Sequence, residues 1–173
     1  MVEKKHIVVD LMLKYNGPAS IEDFYEEVEK WMKERNLHKD LKRKSEDVTS
    51  KGKKIEWIIE AWRSPVRAVK QMVRIRVLFD NVTEIKIKRN GHTLKINKGN
   101  VFVNIDGWME TSLTSRWTAV NPLYAFMRTL YDKYIWLIGS NVTEANEGPV
   151  TEDCYDLHKR LKAFFELSKI KVQ

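Results

Sequence analysis

Cys154 and His158 stand one helical turn apart near the C-terminal end of the chain, and a thiolate beside an imidazole is a pair from which a nucleophile can be made. The same cysteine, however, falls on the apolar stripe Cys154, Leu157, Leu161, Phe164, Phe165 and Ser168, where a thiol behaves as a small hydrophobe. Packing accounts for it, and no catalytic role is read there. Glu56 and Glu60 project from one face of a strand about two strand repeats apart, a spacing at which two carboxyls could divide acid and base work. Beside Ile58 and Trp62 they read instead as a solvated strand face. His6, His38, His92 and His158 are scattered over a strand, a linker, a hairpin tip and a helix, so no metal centre is expected. The seven glycines never gather into a phosphate-cradling loop. No catalytic residue, metal or cofactor is assigned, and the expectation is a protein that is not an enzyme.

Charge placement says more. The chain has 31 Lys and Arg against 24 Asp and Glu, a net charge of +7. Residues 66–104 alone hold nine bases and two acids, so this stretch carries the whole excess and the remainder is neutral. Within it, bases alternate with apolar residues. That pattern sets Arg74, Arg76, Lys86, Lys88 and Lys95 on one face of a sheet, with Arg89 and Lys98 near the turns. Such a face could track the phosphates of RNA, giving salt-dependent binding with little sequence preference, as in a ribosome-associated protein. It lacks the interleaved aromatics on which single-strand binders stack bases. Lysines on exposed strands also protect sheet edges, so a phosphate-binding face, a face for an acidic protein and a merely solvated face all stay open.

These residues need a scaffold, and 173 residues at 43% hydrophobic and 32% charged suffice for one domain with a sizeable core. No apolar run approaches the roughly 20 residues of a bilayer span. The start Met-Val-Glu-Lys-Lys-His leads into no long uncharged segment, so a secretory signal is not expected. A single cysteine excludes an internal disulfide. A cytoplasmic location follows as the expectation, and the sequons at Asn81 and Asn141 then carry no weight.

Period two over residues 6–15 predicts a strand with Ile7, Val9, Leu11, Leu13 and Tyr15 inward. Ser20 caps a helix bearing Ile21, Phe24, Val28, Trp31 and Met32, with acids at its start and bases at its end. Residues 37–54 are polar and basic, with a short helix around Asp40–Ser45. Residues 55–63 form a strand with Ile55, Trp57, Ile59 and Ala61 on one side. Four further strands are expected at 70–79, 83–89, 93–97 and 101–105, with Asn90-Gly91 a hairpin turn and Lys98-Gly99-Asn100 another. Their core face would carry Val73, Ile75, Ile85, Ile87, Leu94, Ile96, Val101 and Val103, and Gly107 would mark a bulge that redirects Trp108. Asn121-Pro122 starts a long apolar helix that Gly139 ends, residues 139–150 form a loop, and Thr151 caps a last helix.

The order strand, helix, antiparallel strands and then a long apolar helix at 122–138 resembles the START-like, helix-grip superfamily (SRPBCC), in which a curved sheet wraps a C-terminal helix. The hairpins followed by Asn121-Pro-Leu-Tyr-Ala-Phe and Tyr131-Asp-Lys-Tyr also look like those of small, lysine-rich proteins of archaeal type. The resemblance implies an α+β fold: a curved antiparallel sheet of about six strands packed on that helix, in a single helix-grip-like domain with 151–173 an added C-terminal helix. It also implies a groove between sheet and helix. Trp57, Ile75, Ile87, Val103, Trp108, Phe126, Leu130 and Tyr134 would either fill that groove or line it for an apolar small molecule or a partner protein.

Overall fold

A computed structural model of the protein describes residues 2–49, 52–66, 69–89, 92–112 and 136–170. The chain is α+β. Strand β1 (Val2–Pro18) leads to helix α1 (Ile21–Glu34), and β2 (His38–Thr49), β3 (Gly52–Val66), β4 (Val69–Arg89), β5 (His92–Ser112) and helix α2 (Trp136–Ile170) follow. The five strands form one antiparallel sheet in the order β1-β5-β4-β3-β2. Strands β2 to β5 are a meander, and β1 crosses to the far edge to pair with β5.

The ladder sets the inward residues in rows: Ile55, Phe79, Val101 and Tyr15; then Trp57, Val77, Val103 and Leu13; then Ile59, Ile75, Ile105 and Leu11. Both helices cover this face. From α1 come Phe24, Val28, Trp31 and Met32, and from α2 come Val150, Cys154, Leu157, Leu161 and Phe165, all buried. Ser20 caps α1 as the sequence suggests, its Oγ accepting from the Asp23 amide at 3.1 Å. Aromatic rings close the space between the layers. Phe24 meets Phe79 edge-on at 5.4 Å and Phe165 at 5.8 Å, Trp57 meets Phe79 at 5.5 Å, and Tyr15 stacks on Phe165 at 4.4 Å.

Several expectations are corrected. Residues 38–49 form a strand, not a linker with a short helix. Its side chains are mostly exposed and need no apolar partner, because the backbone ladder to β3 holds it, and its charges guard a sheet edge. The four short strands expected after residue 70 are two long ones, so the sheet has five strands. The turn expected at Lys98-Gly99-Asn100 is unbroken strand. The irregularity lies opposite, in β4, where Asn81 has φ +54° and the register shifts between Asp80 and Thr83. Gly99 permits the close passage: a Cβ there would lie 2.9 Å from the Asp80 carbonyl oxygen.

Because β5 runs on without a turn, its alternation is not reset. Positions 94 and 96 therefore share parity with Phe102 and Asn104, not with Val101 and Val103. Ile85 pairs with Ile96 and Ile87 with Leu94, and the side chains of these four, expected in the core, lie outside the described residues. In β1 the register breaks twice between His6 and Leu11, with Asp10 at φ +55°. The break brings Val8 inside and leaves Val9 63% exposed, against simple alternation. The bulges thus lie in β1, across from Gly107.

Helix α2 runs through the expected loop at 139–150, with Gly139, Gly148 and Pro149 inside it. Thr151 is not a cap; its hydroxyl donates back to the Glu147 carbonyl at 3.2 Å. Proline removes one helical hydrogen bond, but Val150, Cys154, Leu157 and Leu161 are all fully buried against the sheet, and packing outweighs that loss. Of the helix expected over 122–138, residues 122–135 lie outside the described residues, as does the turn at Asn90-Gly91, and residues 136–138 belong to α2.

Candidate functional site

The face of the sheet turned away from the helices is not a plain solvated surface. Its rows run Trp62, Met72, Trp108 and His6; then Glu60, Arg74 and Asp106; then Ile58, Arg76, Asn104 and Met12; then Glu56, Leu78, Phe102 and Lys14. In the first rows, Arg74 directs Nε and Nη2 to Glu60 Oε1 at 2.9 and 2.7 Å, and its guanidinium lies 4.8 Å from the Trp108 ring centroid. Lys4 approaches the same ring at 3.9 Å, and the Trp108 indole donates to Glu110. Arg76 donates to Asp106 at 2.8 Å and to Asn104 at 3.0 Å. Asp106 also accepts from the Asp10 amide, so the left-handed residue of the β1 bulge is tied into the same network.

Glu60 and Asp106 are nearly buried, so removing either arginine would leave a carboxylate without its partner away from water, although the arginines themselves stay partly in water. Two of the five residues singled out as a basic face are therefore matched by acids. Glu60 is committed to Arg74 and Lys42, and Glu56 lies 3.4 Å from Arg43.

Beside this network the face opens into a cleft of about 280 Å³. Met12, Leu78 and Phe102 give it an apolar surface, with Leu13, Val77 and Val103 beneath, and Lys14, Glu56, Arg76 and Asn104 supply polar groups. Met12 is 56% and Phe102 39% exposed. Sequence reading passed over Met12, Leu78 and Phe102, because each stands on the polar side of an alternating strand. Large apolar residues at polar positions were the available signal.

The groove residues are not brought together. Trp57, Ile75 and Val103 are buried on the helix side, whereas Trp108 is buried on the outer side among cations. Position 87 falls beyond the part of β4 that pairs with β3. Phe126, Leu130 and Tyr134 lie outside the described residues. A second hollow, beside Gly17, Phe79 and Gly99, measures only about 10 Å³, too little for a ligand.

On the helix side a polar ladder joins α1, α2 and β3. Asp153, 1% exposed, lies 2.8 Å from Arg63 and 3.5 Å from Arg35, which also reaches Glu152 and Asp156. Arg63 donates on to Gln71, and Gln71 to the Asn146 carbonyl. Burial holds the Asp153 carboxyl above the usual carboxylate range in spite of its two arginines. Cys154, next along, is fully buried, and its thiol is pushed up to about 12 by burial first and then by Asp153 and Asp106. Among the described residues, no group of His, Cys, Asp and Glu is placed to hold a metal ion, and no helix is long and apolar enough to cross a membrane. Compared with protein-family models, with curated proteins and with solved structures, the chain matches none.

Proposed function

We propose that the protein is a non-enzymatic binding domain whose outer sheet face receives an apolar group, carried by a small molecule or by a partner protein. The observation that carries this reading is the cleft at Met12, Leu78 and Phe102. Exposed Met and Phe rimmed by Arg76, Lys14 and Asn104 have the composition of an interaction surface, whereas aromatic rings close the space between sheet and helices. A fully buried thiol at about 12 and a Glu60 committed to Arg74 support a binding role over catalysis. An antiparallel sheet with both helices on one side supports the helix-grip relationship, and the lone cysteine suits a reducing, cytoplasmic setting.

Native mass spectrometry of the protein purified from its own host identifies the retained ligand or partner. The double variant Met12→Asp/Phe102→Asp should lose it while keeping the wild-type thermal midpoint within a few degrees, since neither side chain belongs to the core between sheet and helices. Retention by that variant, or a ligand whose NMR contacts map to Trp57 and Phe165, would overturn the proposal.

A further inference from the structure

The cleft at Met12, Leu78 and Phe102 has a sign of charge as well as an apolar floor. Two rows of the outer face meet there: Ile58, Arg76, Asn104 and Met12, then Glu56, Leu78, Phe102 and Lys14. Lys14 on β1 and Arg76 on β4 flank Phe102 and Asn104, which lie between them on β5. Neighbouring strands stand about 4.8 Å apart, so both long side chains reach a group seated above β5. Glu56, the acid of the lining, is on β3, three strand spacings or about 14 Å from Lys14 along its row. Its carboxylate lies 3.4 Å from Arg43. The β1–β4 side of the cleft is therefore positive.

Arg76 is held in place in advance. Its Nη2 donates to Asn104 at 3.0 Å and to Asp106 at 2.8 Å, and stands 3.6 Å from Asp10. All three contacts use one nitrogen of a guanidinium that has several donors, and the side chain is 47% exposed. The Nε and Nη1 edge is a planar fork of the kind that takes a carboxylate in two parallel bonds. Exposed Lys14 adds a movable point charge from the other side. Of the basic alternation, Arg76 lines the cleft and Arg74 does not; the side chains of Lys86, Lys88 and Lys95 lie outside the described residues. Size limits the rest of the ligand. A water occupies about 30 Å³ in the liquid, so the cleft of about 280 Å³ takes roughly nine or ten non-hydrogen atoms.

Resting on the reading of this cleft as the binding site, we infer that its ligand is a small amphipathic carboxylate. The head lies above β5 between Lys14 and the Nε edge of Arg76, and the apolar tail, about eight carbons long, covers Met12, Leu78 and Phe102. A neutral head would leave both cations in water and gain nothing from them, and a cationic head would be repelled. A small molecule fits better than a broad protein interface. Next to the cleft the face is taken up by its own ion pairs, Arg74 with Glu60 and Arg76 with Asp106, which a large partner would have to strip of water.

Amide NMR titration of the full chain at neutral pH with octanoate, octan-1-ol and octylammonium, probes with one tail and three heads, tests it. Octanoate should shift the amides of Met12, Lys14, Leu78 and Phe102 and bind at least about fivefold more tightly than octan-1-ol, with octylammonium weakest, a preference that narrows as salt screens the heads. Lys14→Glu reverses the sign at an exposed position and leaves Arg76 to its buried acid, so the fold is kept. That variant should lose the preference for octanoate over octylammonium while binding octan-1-ol within about twofold of wild type. If octan-1-ol binds wild type as tightly as octanoate, or Lys14→Glu keeps the full preference, the inference fails and the cleft still stands as an apolar site. If none of the three probes shifts those amides, the inference and the reading of the cleft fail together.

Discussion

A methyl group at position 107 has nowhere to go. Built on the Gly107 backbone it would lie 2.6 Å from Cys154 Sγ and 2.9 Å from Val150 Cγ1, both fully buried on α2. Gly107→Ala should therefore destabilise by about 1–3 kcal/mol as the helix is pushed from the sheet. Removing the sulfur returns part of the space, so Gly107→Ala/Cys154→Ala should be less destabilised than the two single variants together. Urea denaturation of the four proteins measures this, and additivity within about 0.5 kcal/mol would show that α2 does not rest on Gly107 through Cys154. The cysteine also sets a pH limit. Its thiol ionises near 9 when exposed and near 12 in the fold, so above pH 9 the unfolded chain releases a proton that the native state retains. Its contribution to stability is whole below pH 9 and is lost as pH rises towards 12. Cys154→Ser, which does not titrate in that window, should show a shallower loss of thermal midpoint between pH 9 and 11. Equal slopes would mean that the thiol is not shielded.

At the scale of elements, what could be read in the sequence was what local periodicity encodes. The faces of α1, β3 and the C-terminal part of α2 came out residue by residue, because each is a regular stripe against one partner: Phe24, Val28, Trp31 and Met32; Ile55, Trp57, Ile59 and Ala61; Cys154, Leu157 and Leu161. Strand β2 could not be read, since an edge strand held by its backbone ladder needs no alternation. The β1 bulge was hidden for the reverse reason: alternation through Val9 looked regular, and only pairing with β5 shows that Asp10 turns out of register to meet Asp106. Gly99 signalled a turn but serves a close crossing of two long strands. The basic alternation was legible as charge. The matching of Arg74 and Arg76 by buried acids depends on residues distant in sequence, Glu60 and Asp106. The cleft was illegible as a site because Met12, Leu78 and Phe102 come from three strands that only the sheet order makes neighbours.

The whole molecule has a topology with an early part and a late part. Strands β2 to β5 pair with their immediate successors, so the meander can grow by closing short loops. Strand β1 joins Val2 to Ser112 and Pro18 to Lys98, across almost the whole intervening chain. The entropy of that closure is repaid only once β5 presents a formed edge. Its side chains, Leu13 and Tyr15, also pack where Phe165 of α2 arrives, and so depend on a second distant element. Folding should then nucleate in the β3–β4–β5 meander and finish with β1 and α2. In stopped-flow measurements Val77→Ala, at the centre of the meander, should chiefly slow folding, whereas Leu13→Ala should chiefly speed unfolding and leave the folding rate within about twofold. If Leu13→Ala slows folding as much as Val77→Ala for the same loss of stability, β1 is already in place at the transition state, and chain order does not govern how this sheet assembles.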